Sequence, residues 1–166
     1  MRQSELEFIR QLGVQDTAVD HRLYAAHMFQ PRVVGSVLAL GVLLQSPWPF
    51  VLLSLALGWS ALVPTRNPFD AVYNRVIARP PGLPLLEAAP IPKRFAAGMA
   101  GALMLGIGVA LLLDSRPLAW ALQGIAAAAV LTVVVGRFCE GAALYHLLVR
   151  AATRVLCPAG VAGPRG

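Results

Sequence analysis

The sequence predicts an all-α, polytopic membrane protein: four transmembrane helices in two hairpins, preceded by an N-terminal amphipathic segment. Three observations carry that expectation. Four long apolar stretches, Val33–Gln45, Phe50–Val63, Phe95–Leu113 and Leu118–Val135, make up 64 of the 166 residues. Of the 14 basic residues, only Arg116 falls in the short connection inside a hairpin. The composition is 57% hydrophobic and 13% charged, with a mean hydropathy of +0.66, whereas a soluble domain carries about 25% charged residues. In water such a chain would expose apolar patches far larger than soluble monomers tolerate.

Residues 1–30 read as an amphipathic, interfacial arm. Ser4 is placed to cap a short helix, with Glu7 three residues on to complete a capping box. Phe8, Ile9 and Leu12 recur on one side, while Arg2, Glu5, Arg10 and Gln11 are polar, and Gly13 ends the helix. A second stretch, Ala18–Phe29, carries His21, Arg22, Tyr24, His27 and Met28. It is expected in the headgroup layer, its aromatics turned toward lipid or toward the bundle. Glu5, Glu7, Asp16 and Asp20, without a small-residue cleavage site, argue against a cleaved signal peptide.

The four-helix transmembrane domain is expected over residues 31–150. Pro31 suits the first turn of its first helix, where a missing donor costs nothing. That helix reaches Gln45 and stops at Ser46-Pro47-Trp48-Pro49, a tight turn with Trp48 at the membrane boundary. The chain re-enters through Phe50–Val63 and leaves at Pro64. Each arm is about 15–18 residues, short of the roughly 20 that span a bilayer, so a thin or re-entrant hairpin stays open.

Residues 64–94 form the longest polar connection. Asn67 can cap a helix whose first position is Pro68, with Asp70 near its positive end. The helix should run to about Ile77, with Val72 and Ile77 buried and Tyr73 beside the basic residues. Pro80, Pro81, Pro84, Pro90 and Pro92 then forbid regular structure. The third stretch carries Gly98, Gly101, Ala102 and Gly106, a small-residue ridge that lets helix backbones approach closely. Asp114-Ser115-Arg116-Pro117 closes the second turn. Helix four is expected from Leu118, anchored by Trp120, continuing beyond the apolar limit through Arg137, Cys139, Glu140, Tyr145 and His146. Residues 151–166, with Pro158 and Pro164, read as a flexible C-terminal tail.

Charge sets the expected orientation. Arg2, Arg10, Arg22 and Arg32 precede helix one; Arg66, Arg75, Arg79, Lys93 and Arg94 lie in the middle loop; Arg137, Arg150, Arg154 and Arg165 follow the last apolar run. Positive charge stays cytoplasmic, so the reading is a multi-pass protein of the bacterial inner membrane with both termini in the cytoplasm. Topology and attraction to anionic lipid account for the net charge of +6. Neither a zinc spacing nor a recognition-helix pattern accompanies it, so nucleic acid is not an expected partner; the bilayer and other membrane subunits are.

Chemistry is sparse. His21, His27 and His146 are the candidate cofactor-binding residues, but nothing in the spacing brings them together, and no metal or cofactor is expected. Lipid, quinone or pigment in grooves between copies is compatible with the pattern. Arg137 and Glu140 are three apart and could pair locally. Cys139 could be activated by the nearby arginine or could simply pack. The apolar runs hold no acid or base of the kind that proton relays need.

Together, Asn67-Pro68-Phe69-Asp70 with Tyr73-Asn74, Pro92-Lys93-Arg94-Phe95-Ala96, and Gly136-Arg137-Phe138-Cys139-Glu140-Gly141-Ala142 with Leu144-Tyr145 resemble an uncharacterised family. Its members are small bacterial integral membrane proteins, grouped as a domain of unknown function and sometimes fused to or encoded near sulfur-handling or thiol-redox proteins. The resemblance covers about residues 31–150. It implies a Phe-Cys-x-Gly-Cys motif, of which Phe138, Cys139 and Gly141 are present while Ala142 replaces the second cysteine. One cysteine cannot form that internal disulfide.

The expected function is therefore a noncatalytic membrane subunit that packs against and stabilises a larger membrane complex. It would use the small-residue ridge and the loop residues Asn67, Asp70, Tyr73, Lys93, Arg94, Arg137 and Glu140. The alternatives are a thiol-redox or sulfur-handling protein using Cys139, and a small-solute channel or transporter.

Overall fold

The computed structural model describes residues 3–14, 21–78, 85–86 and 88–156, the side chains of residues 21 and 154–156 excepted. Every regular element among them is helical. Prolines 80, 81 and 84, Arg79 and the terminal residues 157–166 lie outside the described residues.

Helix α1, Gln3–Gln11, buries Phe8 and Ile9, and with them Glu5. Ser4 lies within the helix rather than capping it. Gly13 ends the arm's first turn with φ +79°, and a Cβ there would meet the Pro92 ring at 3.2 Å. Helix α2 is His21–His27 and α3 is Phe29–Leu44. The arm turns its apolar side toward the bundle. It packs on the bundle through Phe8, Ile9, Leu12, Tyr24, Met28, Cys139 and Ala142, with Phe8 edge-on to Tyr24 at 5.8 Å.

Gln45, at φ +46°, makes the first reversal. Helix α4 begins at Pro47 and runs to Leu62. The Pro-Trp-Pro sequence expected to form the turn is thus the first turn of α4, where helical N–H groups have no partner anyway. A 16-residue helix is about 24 Å long, against a hydrocarbon core of about 30 Å. Among the described residues, three helical stretches are long and apolar enough to cross a membrane: Arg22–Leu44, which joins α2 and α3, Ile91–Leu112 and Arg116–Val134. Those three suggest a membrane protein, as does a belt of exposed Leu40, Leu43, Leu52, Leu55, Leu105 and Leu131.

Helix α5, Pro68–Val72, passes into a π-helical turn over Tyr73–Ile77. The helical stretch reaches Ile77, but Val72 and Ile77 are exposed, and Phe69, Asp70 and Tyr73 are the buried residues. The side that carries Asp70 turns inward because a buried lysine waits there. Helix α6, Ile91–Leu112, is central: it packs most closely on α4 and also contacts α7 and α8. Asp114, at φ +50°, turns the chain into α7, Arg116–Val134.

The small-residue positions of α6 do not form one outward ridge. A Cβ at Gly101 would stand 3.3 Å from the Gly58 nitrogen, and one at Gly108 would stand 2.8 Å from Val51 Cγ2. Gly98 faces Ala61 of α4, Gly106 faces Leu122 of α7, and Ala102 is exposed. The close approach is spent inside the chain.

Helix four does not continue through Arg137. Helix α7 stops at Val134, and α8, Glu140–Leu156, starts afresh. At the break Arg137 has φ +56°, and the Phe138 N–H returns to the Thr132 carbonyl at 3.1 Å. A Cβ at Gly136 would lie 2.6 Å from that same carbonyl oxygen. The physical cause is a change of pattern: continuous apolar residues give way to a two-faced helix, which lies against α6 with Gly141 on Ala96 and Tyr145 on Phe95. Helix α8 carries order past Arg150 to Leu156.

Candidate functional site: a cavity beneath the arm and an anchored loop

Two arrangements meet at the arm end of the bundle. The first fixes the segment after α4. Asn67 caps α5, its Oδ1 accepting from the Phe69 N–H at 3.0 Å and lying 2.9 Å from Ser60 Oγ. Its Nδ2 donates to Asp70 Oδ2 at 2.8 Å. Lys93 Nζ, on the first turn of α6, donates to both Asp70 oxygens at 3.0 and 3.2 Å. Both charged side chains are 8% exposed. Arg94 Nε donates to the Ala61 carbonyl at 2.9 Å, and Asn74 brackets the backbone of Leu86 at 2.9 and 3.0 Å. Tyr73 is buried beside Phe29, ring centres 5.7 Å apart, and burial pushes its phenol above the usual range.

The second is a cavity of about 400 Å³ enclosed by α3, α6 and α7, floored by Phe8 and Leu12 of the arm and by Cys139–Gly141. Its body is apolar: Val34, Ala97, Leu103, Met104, Ala126 and Val130 among others. Its arm end is polar, with His27, Gln30 and Lys93. His27 Nδ1 and Gln30 Oε1 are buried and have no hydrogen-bond partner among the described residues.

Beside the cavity, Arg137 reaches into the arm rather than to Glu140. Its Nη1 lies 3.1 Å from Glu5 Oε1 and donates to Ser4 Oγ at 3.1 Å, and its guanidinium stands 5.6 Å from the centre of the Tyr24 ring. Glu140 instead accepts from Thr132 Oγ1 at 3.1 Å. The local Arg137–Glu140 pair expected from spacing is replaced because the reversal at Arg137 breaks the helical register. Cys139 is 9% exposed, and its N–H donates to Gln11 Oε1 at 3.1 Å. Burial pushes its thiol up, against the activation a neighbouring arginine would give.

The histidines are not gathered. His27 lines the main cavity, and His146, 3.1 Å from the Gln11 carbonyl, borders a separate hollow with Glu7, Arg10 and Arg150. The side chain of His21 is outside the described residues. Sequence reasoning missed Gln30, and it missed Glu5 as a buried partner of Arg137. A carboxylate one turn before Phe8 and Ile9 was the only available signal for Glu5.

Residues 26–150 match the family described as Domain of unknown function (DUF4395). The chain belongs to that family. The match takes in α3 to α7 and nearly all of the region that holds both arrangements, but begins after α1. No curated protein and no solved structure gives a significant match.

Proposed function

We propose that this chain is a noncatalytic, four-crossing subunit of the bacterial inner membrane, both termini cytoplasmic, that packs against a larger membrane complex. One observation carries the reading. The segment from Pro64 to Ile77 lies outside the long apolar helices, and a buried ion pair holds it, yet Val72 and Val76 remain 49% and 68% exposed. A buried ion pair adds little net stability compared with apolar packing. What it supplies here is a fixed position for a surface whose two valines are four residues apart on one side. Exposed apolar side chains on a polar segment are covered most readily by another protein.

The test is a photocrosslinking residue at Val76, compared with one at Leu43 on the apolar belt, in native membranes. Val76 is expected to give one protein adduct of defined mass, and Leu43 lipid adducts. Replacing both Val72 and Val76 with Asp should remove the partner from a gentle detergent preparation without loss of folded protein. Lipid adducts alone from Val76 would refute the reading. The burial of Cys139 weighs against thiolate chemistry, and Cys139→Ser is expected to leave the assembly intact.

A further inference from the structure

The cavity beneath the arm has a polar end that is chemically unfinished. Buried polar atoms without partners are rare in folded proteins, because each forfeits its hydration. Here two of them, His27 Nδ1 and Gln30 Oε1, line the end of one cavity, and His27 is only 7% exposed. A single water could meet them, but it would fill only about 30 Å³ of the roughly 400 Å³ present. Of the other polar residues on the lining, Lys93 is held by Asp70 and Glu140 by Thr132, and the rest of the wall is largely apolar.

The shape and the charge narrow the occupant. Lining residues on α6 extend from Lys93 to Met104, about 16 Å at 1.5 Å per residue. That length suits a compact head and a short run of chain. Met99 and Ile125, both on the lining, are 41% and 58% exposed on the apolar surface. The mouth therefore opens on an apolar face, where a membrane would supply the ligand, with the exposed Glu140 also on the lining. Lys93, the cation at the polar end, is already bonded to both oxygens of Asp70. An anionic head would have to compete with that carboxylate. Gln30 Oε1 can only accept a hydrogen bond, and His27 Nδ1 can accept or donate.

We infer that the cavity binds a neutral amphiphile whose head carries a hydroxyl donor and whose apolar tail lies between α3, α6 and α7. The hydroxyl donates to Gln30 or His27, and the methionines adapt to the tail. Two sources share this chemistry, a quinol of the isoprenoid type and an acylglycerol. The inference requires only that the chain lies in a membrane. It is independent of the partner reading.

The test uses the full chain in phosphatidylcholine nanodiscs, titrated with decylubiquinol, 1,2-dioctanoylglycerol or dioctanoyl phosphatidic acid, with binding followed by native mass spectrometry and thermal shift. Saturable binding of one hydroxyl-bearing probe is expected, and which of the two binds assigns the source. Gln30→Leu and His27→Leu should each weaken it tenfold or more. Ala129→Leu, which fills the cavity, should abolish it while the ligand-free melting temperature is kept. Three results would overturn the inference: no saturable binding of either neutral probe, tighter binding of the phosphatidic acid, or wild-type affinity in both Gln30→Leu and Ala129→Leu.

Discussion

Removing Asp70 is the sharpest probe of what holds the loop to the bundle. Its carboxylate takes two contacts from Lys93 Nζ, at 3.0 and 3.2 Å, and one from Asn67 Nδ2 at 2.8 Å. In Asp70→Ala the ammonium of Lys93, 8% exposed, loses its counter-ion without gaining water. Breaking one side of a buried pair costs about 3–5 kcal/mol, and the stranded Asn67 amide adds about 1 kcal/mol. The expected loss is therefore about 4–6 kcal/mol, which lowers the melting temperature by roughly 10 °C or more. The double variant Asp70→Leu with Lys93→Met removes both charges and should recover most of that loss. Unfolding in mild detergent can be followed through Trp59, whose indole donates to the Arg66 carbonyl at 3.1 Å and so reports on this segment. The reasoning fails if Asp70→Ala costs under about 1 kcal/mol, or if the double variant is as unstable as the two single losses combined.

Gly101→Leu should separate α4 from α6, since even a Cβ there sits 3.3 Å from backbone; thermal melting should fall by about 2 kcal/mol or more. Gly124 has nothing within 4 Å of its would-be Cβ, so Gly124→Ala should be neutral or stabilising by up to about 1 kcal/mol. In a Cys157→Ser background, maleimide should label Cys139 at least about tenfold more slowly in the folded protein than after denaturation. Because burial raises that thiol above its ordinary value of 9.0, the fold favours the protonated form. Its contribution is full below about pH 9 and is lost as the pH rises toward the folded value, so stability titrations should show an alkaline decline that Cys139→Ser lacks. Arg137→Ala should release α1, read as protease cleavage within residues 3–14 while the remainder stays protected.

The local features were legible because their causes are local. Asn67 before Pro68 is a cap and a first turn wherever it occurs, and Gly13 can take the positive φ that ends α1. Phe8, Ile9 and Leu12 share a face by helical spacing alone. The apolar runs disclosed the long helices for the same reason. What was hidden depended on residues far apart in sequence. Asp70 and Lys93 are 23 residues apart, and Arg137 meets Ser4 across 133. No periodicity joins such pairs. The break at Gly136 did have a local sign, a glycine where the apolar run gives way to an amphipathic one, but the charged residues beyond it still fit a continuing helix. The cavity was illegible because a void belongs to three helices at once, and Gln30 gave no reason to be singled out.

The bond between Arg137 and the arm has a consequence for biosynthesis. Ser4 and Glu5 leave the ribosome before their partner Arg137, which is made 133 residues after Ser4. At translation rates of about 5–20 residues per second, the arm waits roughly 7–27 seconds before Arg137 can reach it. A helix that emerges well before α8 is therefore among the last to find its seat. Any truncation upstream of Arg137 would strand it permanently.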